Sequence, residues 1–177
     1  MQKLNAPAHL IEQVYDAILD AICEGTLQPN ERVTQEGLAA QLGVSRQPIL
    51  QAFQILKREG FIEDHGRKGV IVTPLDPQKL VQLYQVRAAL DALAARSAAR
   101  LAQQNSTKKL KASADKLISQ GRAAAAANDT RALVHLDMAF HQFIYDLSAN
   151  PVIAQTTALH WHHIRRTMSS ILQNDVR

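Results

Sequence analysis

Residues 42–76 read LGVSRQPILQAFQILKREGFIEDHGRKGVIVTPLD, and the punctuation of this stretch sets the architecture. Gly43-Val44 makes a tight turn, Ser45 is placed to cap the helix that follows, and Gly60 is a natural left-handed stop for it. Between them Ile49, Ala52, Phe53 and Leu56 recur at i, i+3, i+4 and i+7, the spacing of one buried helix face. Phe61–Glu63 and Val70–Thr73 are rich in β-formers and flank HGRKG, so they read as a hairpin; Pro74 and Pro77 then punctuate a linker. Upstream, Thr34 is placed to cap a short helix to Leu42 with Leu38, Ala39 and Leu42 facing inward. TLQPNERV is a loop around Pro29. Ala8 to Glu24 carries Leu10, Ile11, Val14, Ile18, Ala21 and Ile22 on one stripe, stopped by Gly25. Two short helices joined by a tight turn, the second followed by a hairpin, make a winged helix-turn-helix over residues 8–75.

Downstream of Gln78 only helices are visible: Lys79–Gln104, Lys108–Ala127, Thr130–Ala149 (broken by Asn150-Pro151) and Val152 to about Leu172. The first places Leu80, Leu83, Val86, Leu90, Leu93 and Ala94 on one face. The fold class is therefore mainly α, a winged helix-turn-helix followed by an all-α helical bundle over residues 76–177. Composition agrees. The chain has 177 residues, 46% of them apolar, too many for a disordered chain, and only 5% aromatic, a bias that suits packed helices better than a β-sandwich. Its single cysteine, Cys23, can form neither an internal disulfide nor a thiolate metal site. No apolar run approaches a membrane span and the first residues hold no signal-peptide core, so the expectation is a soluble, cytoplasmic protein.

Charge and motif point to different halves. The formal net charge is +4, but residues 1–76 hold seven Lys/Arg against ten Asp/Glu, whereas residues 77–177 hold thirteen against six. The motif settles the conflict. With Ile49, Ala52, Phe53 and Leu56 facing the core, Arg46, Gln47, Leu50, Gln51 and Gln54 point away. Ser45, Arg46 and Gln47 stand at a helix N-terminus, where backbone N–H groups and the helix dipole attract phosphate. Arg46 suits a phosphate or a guanine edge, and Gln47 or Gln51 an adenine. His65, Gly66, Arg67 and Lys68 form a compact donor-bearing tip of minor-groove size. The same spacing also fits an amphipathic helix with a solvated polar face and an ordinary basic turn.

The stretch from Leu10 to Leu75 resembles the DNA-binding domain of the GntR family of bacterial transcription regulators. The resemblance rests on the Leu42-Gly43-Val44-Ser45-Arg46 turn, Pro48 in the first helical turn, the Arg58-Glu59-Gly60 exit and the Gly69 hairpin return. It implies DNA contacts at Ser45, Arg46 and Gln47 and at His65 and Gly66. The chain departs from the family where Leu50 replaces an arginine, Gln51 a glutamate, and Glu36-Gly37 an Arg-Glu pair. Leu50 can touch a thymine methyl but cannot bind guanine; Glu36 would repel phosphate; Gly37 costs about 1 kcal/mol of helix propensity. Altered sequence preference or reduced affinity is the expectation.

The helical half resembles the FCD effector domain of the FadR subfamily, through LYQVRAALDALAARSAARLA (83–102) and LVHLDMAFHQFIYDLSANPVIA (133–154). Asp137-x3-His141 matches that domain's paired-ligand motif. At i, i+4 the two side chains share a helix face and suit Zn, Ni or Mn; the same pair is also an ordinary intrahelical contact. The family completes its site with two later histidines, and residues 78–177 read as about two helices short of that domain. His160 and His163 share a face of the last helix but do not match the family's ligand positions. Arg87 on the first helix, and Arg165 or Arg166 on the last, are candidates to pair with a small carboxylate effector.

The reading that follows is a ligand-responsive regulator binding pseudo-palindromic, double-stranded operator DNA as a homodimer. The alternative is a dimerising interaction protein with weakened DNA binding that modulates an intact paralogue. An enzyme is not expected: there is no nucleophile–base pair and no Gly-rich phosphate loop.

Overall fold

The computed structural model describes residues 8–66, 69–102 and 108–175. The chain divides into two compact units, 1–75 and 76–177. In the first, helix α1 (Ala8–Cys23) is followed by strand β1 (Arg32–Val33), helix α2 (Gln35–Leu42), helix α3 (Arg46–Glu59) and strands β2 (Ile62–Asp64) and β3 (Val70–Val72). The helix limits follow local chemistry. Thr34 Oγ1 accepts from the Gly37 amide at 3.1 Å, which satisfies one orphan donor of α2. Gly43 and Gly60 end α2 and α3 at φ 65° and 81°, a backbone region that costs glycine nothing. Ser45 stands in extended N-cap geometry, but its side chain makes no capping hydrogen bond.

Helices α1 and α3 pack together through Val14, Ile18, Ile22, Ile49, Ala52, Phe53 and Leu56, all buried. The Tyr15 hydroxyl donates to Glu59 at 2.6 Å and pins α1 to the end of α3. Leu42, expected to face inward, is instead exposed; it is the last residue of α2, where the chain turns off the core. The hairpin sits one residue later than expected on its first arm and gains a third strand. β3 lies in the centre, with β2 on one side and β1 on the other, all antiparallel. Val33 pairs with Val70 and Arg32 with Ile71.

The second unit consists of α4 (Pro77–Ala102), α5 (Lys108–Ala126), α6 (Thr130–Leu147) and α7 (Pro151–Asp175). Asp76 caps α4, its Oδ1 accepting from the Gln78 and Lys79 amides, with Pro77 at the position where a missing N–H is harmless. Asp129 caps α6 in the same way at the Ala132 amide. α6 packs against α4, α5 and α7, and α4 also against α7. The core gathers Ala94, Tyr145, Ile153, Trp161 and Ile164, with Leu90, Met138 and Met168 against them. The buried face of α4 is the expected one at Ala94, with Leu80, Leu83 and Leu90 half-buried along it, but it departs from the expectation at two positions. Val86 and Leu93 are exposed, whereas Arg87 is buried at 8% exposure, because acidic partners on α4 and α6 satisfy its charge. Among the described residues no helix is long and apolar enough to cross a membrane.

Candidate nucleic-acid interface

The geometry of the first unit follows from which side of α3 is used up by packing. Pro48, Ile49, Ala52, Phe53 and Leu56 are buried, so the helix cannot roll. Ser45, Arg46, Gln47 and Leu50 are exposed on the other side, and Gln51 is half-buried. Because the Ser45 hydroxyl is not engaged in capping, both its donor and its acceptor capacity face outward. The hairpin closes through His65 N–H to Gly69 O at 2.9 Å, with Gly66 at φ 66°; His65 and Gly66 are exposed. Arg67 and Lys68 lie outside the described residues.

Between α2, the start of α3 and the hairpin runs an open groove of about 840 Å³, lined by Arg32, Thr34, Glu36, Arg46, Lys57 and Gly66 among others. It brings together Arg46 at the α3 N-terminus and Gly66 of the wing, both expected DNA contacts. It also contains acids. Glu36 Oε1 lies 2.9 Å from Arg46 Nη2, and Asp64 is ion-paired with Lys57. Arg32 and Asp64 were missed as site residues, and Glu36 was expected to repel phosphate but not to pair with Arg46. Arg32 belongs to a two-residue strand with no periodicity to read, and ion pairs between elements leave no mark on either element's own sequence. Outward guanidinium, amide and hydroxyl donors on a fixed helix end, beside a β-tip, can hold phosphate oxygens and reach base edges in a duplex groove. Leu50, 37% exposed, offers an apolar contact of the kind a thymine methyl accepts.

In the second unit one cluster holds most of the remaining candidates. Arg87 Nη2 is 3.2 Å from Asp137 Oδ2, and its Nε is 3.5 Å from Asp91 Oδ2. Its guanidinium lies over Trp161, 4.7 Å from the ring centroid. His141 stands between the two acids, Nδ1 3.3 Å from Asp91 and Nε2 3.7 Å from Asp137. The Tyr145 hydroxyl donates to Asp91; burial and that bond push its pKa well above the usual 10.0. The expected effector residue Arg87 and the expected metal pair Asp137 and His141 thus lie in a single cluster of side chains. Arg165 is half-buried on α7 and is not among the residues lining the groove over this cluster. That groove, of about 330 Å³, is bounded by Tyr84, Arg87, Ala88, Asp91, Asp137 and Met168. Asp91, Tyr145 and Trp161 were not anticipated, although the Arg87-x3-Asp91 spacing was open to view.

Metal chemistry can be tested on this geometry. Asp137 and His141 do converge, but Asp137 is already met by a fixed cation, Arg87, where a metal would draw on its charge. Among the described residues no group of three or more His, Cys, Asp or Glu is arranged to hold a metal ion. The described residues do not, by themselves, fit a divalent metal.

Comparison with known proteins agrees with this division. Residues 10–72 match the model of the bacterial regulatory proteins of the gntR family, and residues 82–177 match the FCD domain, more than half of the chain. The chain is 29% identical over 151 residues to the uncharacterized HTH-type transcriptional regulator YdhC of Bacillus subtilis, covering 84% of this chain and 65% of that one. It is 34% identical over 130 residues to the Nta operon transcriptional regulator of Aminobacter aminovorans, covering 73% and 59%. The chain thus spans less than two thirds of the length of either relative. Among solved structures, E. coli McbR/YncC shares the fold with a TM-score of 0.74 at 21% identity, over 93% of this chain and 76% of that one. The matched domains and relatives are those of transcription regulators rather than enzymes. With a gntR-type winged helix-turn-helix at its N-terminal end and an FCD domain after it, the chain belongs to the GntR family of bacterial regulatory proteins.

Proposed function

We propose that this GntR-family regulator is ligand-responsive and binds the two half-sites of a pseudo-palindromic operator as a homodimer. The observation that carries the reading is the start of α3: Ser45, Arg46 and Gln47 are exposed at its N-terminus while its opposite face is fully used in the core. Ser45 and Arg46 would position the helix on phosphate, and Gln47, Leu50 and Gln51 would meet base edges. His65 and Gly66 would bring the hairpin to the neighbouring minor groove, together with Arg67 and Lys68. A twofold protein requires paired half-sites about one helical turn apart.

The effector side of the proposal is a small carboxylate at the groove over Arg87. Entering there, it would take over part of the guanidinium fork that Asp137 holds and so loosen the tie between α4 and α6. The linked change would be a population shift between two arrangements of the half-site readers. No step of this switch runs through a metal. The test is salt-dependent binding to operator-length duplex, repeated with a panel of small carboxylates. Binding that weakens steeply with salt supports the reading; no binding even at low salt refutes it. A panel that leaves DNA affinity untouched refutes the carboxylate.

A further inference from the structure

The groove beside α3 carries its own anions. Arg46 is met by Glu36 of α2 at 2.9 Å and Lys57 by Asp64 of β2, so two of its lining cations are neutralised from neighbouring elements. The Arg46 and Glu36 side chains are 66% and 77% exposed. A solvated pair of this kind adds little to folding. Its consequence lies in binding, because a phosphate arriving at Arg46 must take the place of Glu36.

We propose that Glu36 is a positioning residue that acts as an internal counter-anion: it holds Arg46 in a neutral pair at the mouth of the groove and lowers affinity for the DNA backbone of every sequence. This rests on the DNA-binding reading above. Ion bookkeeping gives it a signature. When Arg46 leaves Glu36 for a phosphate, it leaves an unpaired carboxylate beside the DNA polyanion, which retains there the cation the contact would otherwise displace, so the exchange releases almost none. With Gln at position 36 the same contact releases its cation in full, and the slope of log K against log salt steepens by about one per protomer.

The experiment measures binding of the full chain to a mixed-sequence duplex of about three helical turns by fluorescence anisotropy across a salt series, for wild type, Glu36→Gln, Arg46→Ala and the double variant. Glu12→Gln, which changes an exposed acid of α1 that is not among the groove-lining residues, controls for net charge. Glu36→Gln is expected to bind on the order of fivefold more tightly per protomer at low salt, with the steeper slope, while Glu12→Gln matches wild type. The gain from Glu36→Gln is also expected to be larger when Arg46 is present than in the Arg46→Ala background. An equal or smaller gain with Arg46 present leaves only repulsion between Glu36 and phosphate, and overturns the pairing. Unchanged or weaker binding by Glu36→Gln overturns the proposal while leaving the DNA-binding reading intact. If neither wild type nor Glu36→Gln binds duplex at any salt, the parent reading falls and this proposal with it.

Discussion

Replacing Arg87 with methionine removes the cation that Asp91 and Asp137 share while roughly keeping the aliphatic volume against Trp161. Arg87 is only 8% exposed. Removing one partner from a fully buried ion pair costs about 3–5 kcal/mol, because the remaining charge is stranded. Here the carboxylate side chains retain 28% and 33% exposure, so water screens part of that cost, and a thioether on the indole recovers some of the lost stacking. About 2–3 kcal/mol is the expected loss. The chain has one tryptophan, Trp161, and it lies in this cluster, so indole fluorescence during urea unfolding reports the helical unit alone. With a slope of about 1–2 kcal/mol per molar urea for a unit of this size, the midpoint should fall by about 1–3 M. Arg87→Lys, which keeps the charge but loses the planar fork, should fall between wild type and methionine. A midpoint within about 0.3 M of wild type for Arg87→Met would refute the reasoning, since the two acids would then need no shared cation.

Other outcomes follow from the same geometry. Arg46→Ala should weaken DNA binding by about 1–3 kcal/mol, measured by anisotropy; it should leave the salt slope nearly unchanged while Glu36 is present and flatten it by about one per protomer in the Glu36→Gln background. Gly43→Ala forces a side chain into φ 65° although no atom blocks the added Cβ; a loss of about 1 kcal/mol should lower the melting point of the reader unit by about 4–8 °C. Tyr145→Phe removes the hydroxyl that donates to Asp91 and should cost about 1–2 kcal/mol. The Tyr145 pKa is raised in the fold, so its contribution is complete below the unfolded value of 10.0 and is lost as pH rises through and beyond it. Stability of the helical unit should therefore fall less steeply above pH 10 in the phenylalanine variant than in wild type. With Arg87 already paired with Asp91 and Asp137, a chelator or added zinc should leave the melting point of the helical unit unchanged. A zinc-dependent rise would show that Asp137 and His141 do ligate.

Legibility in the sequence tracked how local the physics is. The helices were readable because caps and stops are local devices: Thr34 before α2 and Gly60 after α3 act within one turn of the chain, whereas the Asp76-Pro77 start of α4 reads as linker in the sequence, which puts the helix start at Lys79. The α3 core face was readable because four apolar residues at helical spacing admit one orientation. α4 was misread at Val86, Leu93 and Arg87, though not at Ala94, for the converse reason. Its apolar residues surround the helix, and the position that decides its orientation is Arg87, whose burial depends on Asp137, fifty residues away. Asp91 lay one turn from Arg87 and still carried no signal by itself, since i, i+4 pairs are common on exposed helices. Glu36 was recognised as unfavourable to phosphate, but its pairing with Arg46 needed the angle between α2 and α3. Strand β1 was missed because two residues have no period.

That short strand has a consequence for the cost of docking. β3 is held on both sides, by β2 and by β1, and the Asn30 amide and the Glu31 carbonyl extend the tie to Val72. Gly69 lies so close that an added Cβ would stand 3.2 Å from the Val33 carbonyl. The base of the wing is thus clamped to the segment that leads directly into the Thr34 cap of α2. The hairpin base and the start of α2 reach a duplex already assembled, with little chain entropy left to surrender on contact.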